Sequence, residues 1–226
     1  MFYWNTESSA PKKLHPSLSW SNWKDGKFMY WDRDAQEELV MELPKEFVVI
    51  ADSWSIKWRL ESKGWVWSNE VYSFANDPFT VKDKEWHTLY SWLWKDIKQD
   101  IKAVRLGLTK NIHYFDPAKP DEIRTVCIKG SWLKAWMDVF KDDLRNAPAF
   151  KRIKLDKVDE GKVGSVKFTF PVFAPASDLT ADDRINQQKL WAELMNYKNS
   201  VQADAEVEEV NSQLNSELKG DEELPF

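Results

Sequence analysis

The densest group of residues able to do chemistry lies between positions 54 and 67. There Trp54, Trp58, Trp65 and Trp67 interleave with Lys57, Arg59 and Lys63. An indole offers a flat apolar face with a polar edge, and Lys and Arg supply positive charge beside it. Stacking faces next to cations are what a sequence-tolerant grip on an unpaired nucleic-acid strand needs, each stacked base contributing about 1–3 kcal/mol. Lys27, Tyr30 and Trp31 form a second, smaller group, and Lys110, His113 and Tyr114 a third. The cations of 150–154, with Lys162 and Lys167, add charge further on and fit a solvated strand face equally well. The chain holds 14 tryptophans, more than core packing ordinarily calls for, so some are expected in the core and some on a working surface.

The segment 54–60 alternates strictly. Trp54, Ile56, Trp58 and Leu60 share one face of a strand, and Ser55, Lys57 and Arg59 share the other. Two outcomes follow. With the tryptophan face inward, only Lys57 and Arg59 meet a ligand. With it outward, the rings stack on bases. Alternation alone does not choose, although on a barrel strand the apolar side is usually the inside.

Other chemistries find little support. His15, His87 and His113 are scattered and lie in no spaced metal motif, and neither a P-loop nor G-x-G-x-x-G occurs. Asp32 with Asp34, and Asp142 with Asp143, are neighbouring acids of the kind found in turns and on solvated helix faces, whereas a two-metal nuclease gathers acids from several elements. No enzymatic activity and no cofactor are expected.

The last six residues are Asp221-Glu222-Glu223-Leu224-Pro225-Phe226. An aromatic ring, a terminal carboxylate and a run of acids make a plug for an apolar pocket rimmed by bases, and Pro225 limits the flexibility lost on docking. Eight acids and one base give residues 199–226 a charge of −7, which leaves +2 for 1–198 within the total of −5. The acidic whole therefore conceals a mildly basic body. With its β-rich body, polar linker and acidic tip, the chain resembles the bacterial and bacteriophage single-stranded DNA-binding proteins. The resemblance implies an oligonucleotide-binding fold and sequence-independent protection of single-stranded DNA. It also implies a tip (Asp221–Phe226) that recruits replication, recombination or repair proteins. It admits a homo-oligomer, and it places the protein in a bacterial cytoplasm, that of the host cell for a phage-encoded chain. The body is longer than the common bacterial form, has extra helices and lacks a Gly/Gln-rich linker, so it looks like a divergent phage-type version. Two rivals remain. One is a structural or interaction protein, of a virion or a replisome, that does not bind DNA. The other is a nuclease or recombination accessory enzyme that uses the tip to join a replisome.

The elements that must position these groups are mainly strands. An irregular N-terminal arm is expected over 1–26, and an oligonucleotide-binding barrel with flanking helices over 27–178. Strands are expected near 27–31, 46–51, 54–60, 65–74, 104–108, 111–115 and 123–129. A final pair, at 150–158 and 164–173, is joined by a turn near Asp159-Glu160-Gly161. Trp86, Tyr90, Leu93, Trp94, Ile97 and Ile101 recur at helical steps and predict a helix over 85–101, and Ser131 caps another that carries Trp132 and Trp136. A third helix is expected within 179–198. From 199 to 226 the composition is too polar to offset ordering entropy, so a disordered acidic tail is expected. The N-terminus lacks the pattern of a secretory signal, no apolar run approaches the length of a membrane span, and the single Cys127 fits a reducing compartment.

Overall fold

The computed structural model describes residues 15–17, 19–24, 27–32, 35–60, 64–85, 87–96, 107–140 and 148–220, with the side chains of 22–24, 58–60, 64, 65, 90, 163, 166 and 202–220 outside the description. The chain divides into two units, Ser17–Leu190 and a second made of 1–16 with 191–226. The first unit is mainly β. Its strands are β1 (Ser19–Lys24), β2 (Lys27–Asp32), β3 (Glu37–Val40), β4 (Lys45–Leu60), β5 (Gly64–Ser68), β6 (Phe79–Lys82), β7 (Thr88–Trp92), β8 (Gly107–Asp116), β9 (Lys119–Ile128), β10 (Lys151–Val163) and β11 (Val166–Asp178). The named helices among the described residues are α1 (Ser131–Phe140) and α2 (Ala181–Gly220), the latter running from the first unit into the second.

The strand order is β3-β2-β1-β9-β8-β4-β5-β6-β7, with β10 and β11 branching from β4. Among the described residues no pairing joins the ends of this order, so the sheet is open and the expected barrel is not closed. β4 organises the whole. Its first residues pair with β10 (Phe47 opposite Ile153), its middle with β8 and its end with β5 (Lys57 opposite Trp67). A bulge between Val49 and Ala51 accompanies the change of partner, as expected where a strand bends between layers.

One face of the sheet meets α1 and the β10–β11 hairpin. Phe28, Ile112, Val126 and Ile128 project from the sheet, Trp132 and Trp136 from α1, and Ile153, Leu155 and Phe173 from the hairpin, forming one buried cluster. Trp136 stands edge-on to Phe173 at 5.0 Å. Tyr114, its phenol pushed up to about 12 by burial, shares a hydrogen bond with Ser21 at 3.0 Å. A smaller cluster of Ile56, Val71 and Phe79, with Trp54 and Phe74 packed against it, continues this side beneath β4–β6. At the start of α2, Thr180 Oγ1 accepts from the Asp183 amide and the Asp183 carboxylate accepts from the Thr180 amide. This reciprocal cap also receives the Arg152 guanidinium, which ties the helix to β10.

Several expectations are corrected. Residues 85–101 are not one helix: β7 occupies Thr88–Trp92 and helical backbone covers only 94–96 before the description stops at 97. Pairing with β6 sets Tyr90 opposite Val81 and Trp92 opposite Phe79, and this tertiary context overrides the helical spacing. The arm contributes β1, which pairs with β2 and, in parallel, with β9; residues 1–14 lie outside the description. Beyond Ser68 the predicted strand contributes only a bridge between Val71 and Trp54. The last hairpin turns at Gly164-Ser165, where Gly164 takes a positive φ of 61° suited to a two-residue hairpin loop. Asp159, Glu160 and Gly161 stay in the strand. The third helix begins where expected but runs to Gly220, so the polar stretch from 199 is helical that far. Ala, Glu, Gln and Lys favour a helix even where little surface is available to bury. The tip, 221–226, lies outside the described residues. Among the described residues no helix is long and apolar enough to cross a membrane.

In the second unit, His15 meets Tyr197 of α2 edge-on at 4.9 Å, and on the same helix Leu194 is fully buried while Trp191 is exposed.

Candidate nucleic-acid interface

The other face of the sheet is apolar and buried at Val48, Phe115 and Ile123, and polar beyond them. Ile56 is buried on the core side, so strand alternation sends Ser53, Ser55 and Lys57 to the opposite side. Register extends this side across the sheet: Asn111 lies opposite Ser53, Cys127 opposite Asn111, and Thr125 opposite His113. Trp20 lies beside Thr125 on β1, and Trp31 alternates with the core-facing Phe28 and Tyr30 on β2. Towards the other end, Lys57 is opposite Trp67 and Trp67 is opposite Lys82. Directly opposed residues share a face, so Lys57, Trp67 and Lys82 form one row across β4, β5 and β6. Trp20, Trp31 and Trp67 are 38%, 44% and 39% exposed; such areas of indole in water suit a contact surface.

Between these ends lies a connected polar network. The Asn111 amide donates to Ser53 Oγ at 3.2 Å, Ser55 Oγ at 3.3 Å and Glu70 Oε1 at 3.2 Å. The fully buried His113 has Nε2 3.3 Å from both Ser53 Oγ and Glu70 Oε2, and Tyr72 stacks on its ring. Tyr72 donates its hydroxyl to Glu70 at 3.2 Å. Thr125 donates to Ser17 at 2.8 Å and Ser17 to the Ser19 carbonyl, so the Thr125 oxygen is left to accept from His113 Nδ1–H at 2.9 Å. The network fixes the segment after β5 against β4 and β8. Asn69 then joins that segment to β6, donating to the Pro78 carbonyl and accepting from the Thr80 amide, and Ser68 Oγ accepts from the Ile56 amide. These contacts hold Trp67 between the two lysines.

The network does not have the geometry of a hydrolytic triad. Ser53 and Glu70 approach the same imidazole nitrogen, whereas a relay needs them on opposite ones. Thr125, on the other nitrogen, is fully buried and gives its proton to Ser17. In an exposed turn, Asp83, Glu85 and His87 bring one ligand atom each within 4.8 Å of one another, an arrangement that could hold a metal ion. There Asp83 also accepts from the Glu85 and His87 amides. The Cys127 thiol is pushed up to about 12, first by burial and then by Glu70, against the pull of Lys57 and Lys129. Lys57 and Lys129 are both exposed.

The residues singled out in the sequence divide between the faces. Lys57, Trp67, Lys27 and Trp31 are exposed on the polar side. Trp54 belongs to the core side, 5.0 Å from Phe74 and with Lys110 Nζ 4.4 Å from its ring centroid. Tyr30 is also on the core side, and the Arg124 guanidinium lies 5.0 Å from its ring. The register sets Trp58 opposite Val66 and Arg59 opposite Trp65, but these three side chains (Trp58, Arg59, Trp65) lie outside the description, as does all of Lys63. Of the third group, His113 is in the buried network, Tyr114 in the core and Lys110 paired with Asp52 at 2.6 Å. Sequence reasoning missed Trp20, Lys82 and Lys129. Trp20 was hidden in an arm read as irregular, although Ser19-Trp20-Ser21 alternates like a strand, and Lys82 ends the four-residue β6. Comparison with protein-family models, curated proteins and solved structures gives no match.

Proposed function

We propose that the protein binds single-stranded DNA without sequence preference on the polar face of the sheet, and that the run Asp221–Phe226 recruits replication, recombination or repair proteins. One observation carries the reading: an exposed tryptophan, Trp67, is held between Lys57 and Lys82 on a face that also exposes Trp20 and Trp31. Rings for bases and cations for phosphates are the two components of sequence-tolerant single-strand binding. The reading includes a body of the oligonucleotide-binding type. The long bent β4, shared between two sets of strands, supports it. In this scheme the acidic tail competes weakly for the basic face until DNA displaces it and frees Phe226 for a partner.

The test is indole fluorescence of the full chain titrated with oligo-dT at two salt concentrations. Quenching whose apparent affinity falls with salt is expected, because neutralised phosphates release counterions. Removing residues 199–226 should leave DNA binding intact or tighter and abolish partner binding. Exposed indoles also suit a protein partner, which keeps the interaction-protein reading in view. No quenching and no mobility shift, together with self-association through Trp31 or Trp67, would select it instead.

A further inference from the structure

We infer that the strand crosses β4, β5 and β6 at right angles to them, with one base on Trp67 and its two flanking phosphates on Lys57 and Lys82. This rests on the single-strand reading above and adds a direction and a contact order to it. The row is set by backbone register, Lys57 opposite Trp67 and Trp67 opposite Lys82. Neighbouring strands lie about 4.8 Å apart, so the two lysine stems rise about 10 Å from each other on either side of the ring. A chain laid across the strands meets cation, ring and cation in the order phosphate, base, phosphate. A chain laid along β5 would instead meet both lysines at the level of a single nucleotide.

Among the described residues, small side chains flank the two ends of the row. Lys57 is followed on β8 by Gly107, where a Cβ would come within 2.9 Å of the Lys57 carbonyl oxygen, and Lys82 is followed on β7 by the short, exposed Thr88. No large side chain from either position closes the path. Lys82 thereby becomes a contact residue beside Lys57 and Trp67.

The experiment is a salt series of oligo-dT titrations on the full chain and on Lys57→Ala, Lys82→Ala, Trp67→Ala, Trp67→Phe and a remote control on α1, the exposed Lys134→Ala, with circular dichroism confirming each fold. Each lysine variant should make the slope of log affinity against log salt shallower by about 0.7, the value for one phosphate of a single strand. The double lysine variant should make it shallower by about 1.4. Trp67→Ala should weaken binding by about 5- to 150-fold with the slope unchanged, and Trp67→Phe should recover most of that loss. Lys134→Ala should change nothing. Wild-type binding with a slope unmoved by Lys57→Ala or Lys82→Ala would overturn the crossing path alone. An absence of wild-type binding at every salt concentration would overturn the single-strand reading itself.

Discussion

Trp54 and Trp67 belong to the two strands of one hairpin, yet they live in different environments. Trp54 leans on Phe74 and closes a small core with Ile56, Val71 and Phe79. Trp67 stands 39% exposed between lysines. The same side chain closes a core in one place and is exposed in the other, and the difference comes from the phase of the pleat. One residue of slip in the β4–β5 pairing would turn β5 over against β4, moving Trp67 inward and Val66 outward. The polar network of Ser53, Asn111, His113 and Glu70 resists that slip, because its donors and acceptors find each other in only one register.

The contrast can be broken most severely from the core. Trp136→Ala should cost about 3–5 kcal/mol by leaving a cavity against Phe173, whereas Trp67→Ala should stay within about 0.5 kcal/mol. Urea midpoints measured on both variants check this, and equal losses would contradict the division into a packing face and a contact face. Next in size, His113→Ala should cost about 1–3 kcal/mol by taking from the buried Thr125 oxygen the donor it accepts from. It should also weaken oligo-dT binding less than Trp67→Ala does, since it loosens the support of the row without removing the ring.

The smallest effect is in pH. Burial alone would raise the Asp116 carboxyl, but its bond to Lys45, the Ala118 amide and the Arg124 charge hold it below the ordinary range. Asp183 is likewise pulled down against burial by Arg152 and Thr180. A depressed carboxylate adds stability above its unfolded pKa, near 4, and loses it as pH falls through the folded value. The urea midpoint should therefore drop from about pH 5 downward, and the Asp116→Asn, Asp183→Asn double variant should flatten that drop. A double variant with an unchanged pH profile would remove these carboxylates from the account.

The alternation of Trp54 to Leu60 was legible in the sequence, and so was the sharing of a face by Ser55 and Lys57. Which face was inside was not, because that depends on α1 and β10–β11 arriving from far along the chain to cover Ile112 and Val126. In the sequence Trp65 and Trp67 form one group with Trp54 and Trp58. The hairpin register instead opposes Trp67 to Lys57, a relation fixed by the length of the connection at 61–63 rather than by any local pattern. The aromatics of 86–101 satisfy helical spacing as sequence, and only the presence of β6 recruits Thr88–Trp92 into a strand. Serines hid β1, since Ser19 and Ser21 occupy buried positions that a hydrophobic pattern would not flag. The helical α1 was legible throughout, because a ten-residue amphipathic stretch carries its signal locally.

The parallel pairing of β1 with β9 joins Ser19 to Arg124. Such a contact closes only after the strands between have found their places, and sheets dominated by distant pairings fold on the millisecond-to-second scale. The half of the polar face that bears Trp20 and Trp31 therefore depends on a pairing between distant parts of the chain, whereas Trp67 and its lysines sit on strands that are neighbours in sequence.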